Sequence, residues 1–144
     1  MVATTVLLVD DEVPFVEAMT KRLGKRNLTV LSAHSGPEAL DRLKKESKVD
    51  IVILDVKMPG MDGIETLREI KSAFPLVEVI MLTGHATVET AIEGMKLGAF
   101  DYLMKPCDID QLMAKVQEAK EKKIRHEEKI KQARINEIVM RHGT

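Results

Sequence analysis

The feature that most constrains this chain is an alternation. Short, continuously apolar, β-branched runs are separated by segments with helical spacing. Thr5-Val6-Leu7-Leu8-Val9, Ile51-Val52-Ile53-Leu54 and Val79-Ile80-Met81-Leu82 have the length of strands and no polar face. Such runs suit strands covered on both sides. Leu28 to Ala33 and Tyr102 to Met104 are weaker candidates, as edge strands often are. Between the runs lie helix starts and stops. Pro14 suits a first turn, followed by Phe15, Val16, Met19 and Leu23 before Gly24. Ser35 with Glu38 has the spacing of a capping box, and Asp62 with Glu65 opens the next segment. Thr87 caps a segment carrying Ala91, Ile92, Met95 and Leu97, ended by Gly98. Asp108 with Gln111 opens the last helix, carrying Ile109, Leu112, Met113 and Val116. Five strands alternating with five helices predict an α/β fold, a doubly wound parallel sheet with helices on both faces. At 144 residues and 44% apolar, the chain has material for one cored domain and an appendage, not two domains.

In such sheets ligands bind beyond the carboxyl ends of the strands. The first run ends in Asp10-Asp11-Glu12, the third in Asp55, the fourth in Thr83 and the fifth in Lys105-Pro106. Three carboxylates, a hydroxyl and an ammonium therefore converge on one edge. Crowded carboxylates repel unless a cation sits among them, and Mg²⁺, a hard ion with oxygen ligands, is the natural occupant. A carboxylate can also accept a phosphoryl group as nucleophile. A metal, a lysine and a hydroxyl then neutralise the transferring charge. Each residue alone has a plainer role: acids after strands cap helices, and Lys before Pro sits in solvated loops. Their coincidence at one end of successive strands favours a site.

The order Leu8-Val9-Asp10-Asp11-Glu12, Leu54-Asp55-Val56-Lys57-Met58-Pro59-Gly60-Met61-Asp62-Gly63, Leu82-Thr83-Gly84 and Lys105-Pro106 closely resembles the CheY-like receiver domain of two-component response regulators. The resemblance spans roughly residues 4 to 120. It implies a flavodoxin-like sheet in the order 2-1-3-4-5. It also implies Asp55 as phosphoacceptor for a sensor histidine kinase or histidine phosphotransfer protein. Asp10, Asp11, Asp55 and the backbone carbonyl of Lys57 match the Mg²⁺ ligands, with Mn²⁺ as an accepted substitute. Thr83 matches the switch hydroxyl, Lys105 the ammonium that pairs with the phosphoryl group, and Tyr102 the switch aromatic. Gly84 matches the small residue that leaves the phosphoryl group room. The Lys105–Pro106 peptide is expected to be cis. Lys57 and His85 match positions that flank the path of the attacking water. The output surface implied is the face of the fourth helix, fifth strand and fifth helix, read by a protein partner or a second copy.

Residues 1–120 are thus expected to form the receiver and 121–144 a charged helical extension. Eleven of the eighteen residues 117–134 are charged, and Glu118–Lys122, Glu121–Arg125 and Glu127–Lys131 have the spacing of helical ion pairs. A coiled coil is disfavoured because Lys123 and His126 interrupt its apolar seam. Ile135, Ile138, Val139 and Met140 form a small apolar patch near the end. His34, His126 and His142 show no partners and are expected at the surface, and Cys107 is expected to be an inert loop residue.

Other functions fare worse. Aromatics are 3% and the net charge is −1, which argues against nucleic-acid binding. A single cysteine excludes an internal disulfide. With no membrane-length apolar run and no signal-peptide layout, the expected compartment is the cytosol. An aspartyl phosphatase would usually want a second Asp at position 57, where Lys stands. A flavin carrier would want a phosphate-cradling loop where Asp10-Asp11-Glu12 would repel phosphate. No enzyme activity is expected beyond Mg²⁺-dependent self-phosphorylation and autodephosphorylation. The main alternative is the receiver portion of a longer transcriptional activator. The chain has neither a phosphate-binding loop nor room for a helix-turn-helix domain.

Overall fold

The computed structural model describes residues 3–142. Five strands and five helices alternate: β1 (Thr5–Val9), α1 (Val13–Gly24), β2 (Thr29–Ala33), α2 (Gly36–Lys45), β3 (Ile51–Leu54), α3 (Gly63–Ala73), β4 (Glu78–Thr83), α4 (Val88–Lys96), β5 (Asp101–Met104) and α5 (Ile109–His142). All strands are parallel in the order β2-β1-β3-β4-β5, as the resemblance implied. β1, β3 and β4 are buried along their whole length, which is why their sequences are apolar throughout except at the strand ends Thr5, Glu78 and Thr83.

Alternate side chains serve opposite faces. Val6, Leu8, Ile51, Ile53, Ile80 and Leu82 pack against Val16, Met19 and Leu23 of α1 and Leu112, Val116 and Ala119 of α5. Leu7, Val9, Val52, Leu54, Val79 and Met81 pack against α2 and α3 through Ala39, Leu43, Ile64, Leu67 and Ile70. Each fully buried aliphatic side chain contributes about 1.5–3 kcal/mol. α4 holds on less tightly: of its residues only Gly94 is buried, while Ile92 and Met95 are about half exposed. Gly98 ends that helix at φ +102°, a backbone open to glycine and costly for other residues.

Two local expectations differ in detail. The Ser35 hydroxyl accepts from the Glu38 N–H, but the Glu38 carboxylate accepts from His34 N–H rather than closing a reciprocal box on Ser35. None of the three ion pairs expected along α5 is present among the described residues. Three of its lysines turn inward: Lys120 and Lys123 lie 2.7 and 3.0 Å from the buried Asp50, and Lys122 lies 3.5 Å from the buried Glu78, while Glu118 and Glu127 pair instead with Lys115 and Lys123. α5 then runs clear of the sheet, with residues 124–142 exposed. No described helix is long and apolar enough to cross a membrane. The outermost residues of both expected segments, 1–2 and 143–144, lie outside the described residues.

Candidate functional site

β1 and β3 are neighbours at the centre of the sheet, so their ends set Asp10, Asp11 and Asp55 side by side. One oxygen of each lies within 4.8 Å of the others. Asp10 and Asp55 are 1% and 2% exposed, whereas Asp11 faces solvent. Asp10 is well compensated: Lys105 Nζ donates to Oδ2 at 2.6 Å and the Glu12 N–H to Oδ1 at 2.9 Å. Asp55 is less so, accepting from the Val56 N–H at 2.9 Å. Burial above all, and then the Asp10 charge, raise the Asp55 pKa above its ordinary value. The Thr83 hydroxyl and the Lys105 ammonium oppose this without cancelling it.

Thr83 ends β4 fully buried, its Oγ1 accepting from the His85 N–H at 3.0 Å. The Lys105 N–H donates to the Thr83 carbonyl at 2.9 Å, tying the ends of β4 and β5 together. The Lys105–Pro106 peptide is cis, as expected. Open space surrounds Gly84.

The loop after Asp55 is folded back by Gly63. Its N–H donates to the Val56 carbonyl at 2.7 Å, and any side chain there would overlap the Asp55 carbonyl oxygen and the Val56 backbone. Lys57 rides exposed on this loop and lines one groove with Asp11, Glu12, Met58, Pro59 and His85. Tyr102 stands half-buried on β5, its hydroxyl 2.7 Å from Thr90 Oγ1 of α4. Two elements of the implied output face, α4 and β5, are therefore joined by a hydrogen bond. Cys107 is partly buried and its pKa is raised by burial and by Asp108, which keeps it a protonated thiol.

Sequence reasoning missed two neighbours of the site. His34 is half-buried with Nδ1 3.1 Å from the Asp10 carbonyl, not a free surface residue. Phe15 places its ring under Lys105, whose Nζ is 3.9 Å from the ring centroid. No local signal marks either contact, since an aromatic at helical spacing has the pattern of a core residue. His126 and His142 are exposed as expected.

The donor set is all oxygen, with two buried carboxylates and one ammonium between them. Those residues fit a hard divalent cation.

Comparison with known proteins agrees with this geometry. Residues 6–117 match the response regulator receiver domain family. The chain is 41% identical over 114 residues to the transcriptional regulatory protein ZraR of Escherichia coli, covering 79% of this chain and 26% of that protein. It is 37% identical over 114 residues to the DNA-binding transcriptional regulator NtrC of Escherichia coli, covering 79% of this chain and 24% of NtrC. The chain thus spans about a quarter of the length of these curated relatives. A receiver domain protein structure from Clostridium thermocellum superposes with a TM-score of 0.80 at 37% identity, covering 83% of this chain and 96% of that one. By sequence match, sheet order and structural likeness, the chain belongs to the response regulator receiver domain family.

Proposed function

We propose that this chain is a phosphorylation-operated switch. Asp55 accepts a phosphoryl group from a phosphohistidine on a sensor histidine kinase or histidine phosphotransfer protein. The α4–β5–α5 face then signals to a protein partner or a second copy. The observation that carries this reading is the convergence of Asp10, Asp11, Asp55, Thr83 and Lys105 at one sheet edge.

The Asp55 carboxylate attacks phosphorus as the bond to the donor nitrogen breaks. Asp10, Asp11, Asp55 and the Lys57 carbonyl would hold Mg²⁺, or Mn²⁺ in its place. When bound, that cation offsets charge on the phosphoryl oxygens. Lys105 leaves Asp10 for one phosphoryl oxygen, and the Thr83 hydroxyl donates to another. Movement of Thr83 draws the loop after β4 and frees space for Tyr102, whose bond to Thr90 carries the change to α4. Hydrolysis of the acyl phosphate resets the switch, and self-phosphorylation and autodephosphorylation are its only chemistry. The exposed apolar residues Val88, Ile92 and Met95 of α4 and Met104 of β5 suit a protein-binding face. A net charge of −1 argues against direct contact with nucleic acid. We place this function in the cytoplasm, with residues 1–120 as the receiver and 121–144 as its helical extension.

A second reading rests on the relatives. ZraR and NtrC are transcriptional regulators about three times as long, so this chain can also serve as the receiver portion of such an activator. Both readings share the chemistry at Asp55. The test is incubation with acetyl phosphate, with Mg²⁺ or with a chelator, followed by intact and native mass spectrometry. One phosphoryl adduct in the wild type, abolished by the chelator and by Asp55→Asn, is expected. An adduct that survives Asp55→Asn overturns the assignment.

A further inference from the structure

We propose that Phe15 is a positioning residue for Lys105: its ring holds the ammonium beside the site without neutralising its charge. The inference rests on the phosphoryl-transfer reading above. Lys105 Nζ has two contacts of different kinds, the Asp10 carboxylate at 2.6 Å and the Phe15 ring centroid at 3.9 Å. A carboxylate cancels the positive charge that a phosphoryl oxygen needs. A ring face attracts the cation through its quadrupole and leaves the full charge available.

The two contacts also differ in permanence. Asp10 belongs to the acidic cluster and would turn toward a bound cation, which loosens its hold on Lys105. The ring has no competing partner of that kind. It cannot drift, because α1 begins with Pro14 in its first turn and is anchored in the core by Val16, Met19 and Leu23. The Lys105 side chain is only 15% exposed, with the ring covering part of its approach to solvent. Without the ring, a four-carbon stem released from Asp10 gains solvent-facing rotamers, and the ammonium spends less time near Asp55.

The test is the rate of Mg²⁺-dependent phosphorylation by acetyl phosphate for wild type, Phe15→Leu and Phe15→Tyr, each with Lys105 intact and with Lys105→Met. Phe15→Leu retains an apolar side chain without the quadrupole, and Phe15→Tyr retains the ring. Phe15→Leu is expected to slow phosphorylation about three- to tenfold, the share of a partly desolvated cation–π contact. Phe15→Tyr is expected to stay within about twofold of wild type. In the Lys105→Met background, Phe15→Leu is expected to have no further effect, which a mere packing role would not produce. Should Phe15→Leu fail to fold by circular dichroism, Phe15→Met carries the same expectations. Equal slowing by Leu and Tyr, a wild-type rate in Phe15→Leu, or a Leu penalty that persists in Lys105→Met overturns the proposal. A wild type that takes no phosphoryl group at all overturns the underlying reading with it.

Discussion

Asp55 is a carboxylate that folding places at a disadvantage. It is 2% exposed, it lies beside the equally buried Asp10, and the one ammonium at hand is bonded to Asp10. Burial, then, holds its folded pKa above the ordinary value despite Thr83 and Lys105. A raised carboxylate pKa means that ionisation opposes folding. The cost is absent below the unfolded pKa, near 4, and grows as pH rises through the folded value. Asp55→Asn is therefore expected to stabilise the metal-free protein at pH 7 by on the order of 1 kcal/mol, or roughly 3–5 °C. The gain should vanish as pH falls to about 4 and should shrink when Mg²⁺ is added to both proteins. Thermal melts across pH, with and without Mg²⁺, check it. A destabilised Asp55→Asn at neutral pH would contradict this view of the site. The candidate residues Asp10, Asp11, Asp55, Thr83 and Lys105 were legible because their chemistry lies in residue type and position after an apolar run. Phe15 and His34 were not legible. Their contacts join positions 90 and 24 residues apart, and neither residue type nor local spacing announces them.

At the scale of elements, α5 shows tertiary charge overruling local pairing. The spacing of Glu118, Glu121 and Glu127 predicts solvated i,i+4 pairs worth about 0.3–0.5 kcal/mol each. The lysines between them instead meet Asp50 and Glu78, carboxylates buried at the amino ends of β3 and β4. A buried carboxylate left uncompensated costs several times more than an exposed pair returns, so the lysines go inward. The periodicity of α5 was readable. The pull of two acids some seventy and forty residues away was not. Asp50 also accepts from the Thr5 N–H at 2.9 Å. Burial alone would raise its pKa, but Lys120, the Thr5 N–H and Lys123 together hold it below the ordinary value. Its stabilising contribution is therefore full above the unfolded pKa and lost as pH falls below about 4 through the folded value. Asp50→Asn should cost about 1–3 kcal/mol at pH 7, and little at a pH below both pKa values. Denaturant titrations at the two pH values measure the difference, and an equal loss at both would contradict the ionic account.

At the scale of the whole molecule, a cored receiver carries a helix that outgrows it. α5 has 34 residues, about 51 Å, and its residues beyond 123 lie exposed along roughly 28 Å. Core contacts end at Ala119 and ion pairs to the sheet end at Lys123. Truncation after Arg125 should therefore change the unfolding free energy by less than about 0.5 kcal/mol, whereas Leu112→Ala should cost about 2–5 kcal/mol. A truncation as damaging as Leu112→Ala would make the extension part of the folding unit. The two-sided core and the acidic edge follow from one alternation of strand and helix, whereas the sheet order was legible only through the family resemblance. That alternation places the ends of β1, β3, β4 and β5 at a common edge, where the candidate site lies. The switch turns on a single bond, between an Asp55 carboxylate oxygen and phosphorus. After phosphorylation with acetyl phosphate and Mg²⁺, borohydride reduces an aspartyl phosphate to homoserine, which peptide mass spectrometry can locate. Homoserine is expected at position 55 alone; homoserine at position 10, 11 or 62, or none anywhere in a phosphorylated protein, would contradict phosphoryl transfer to Asp55.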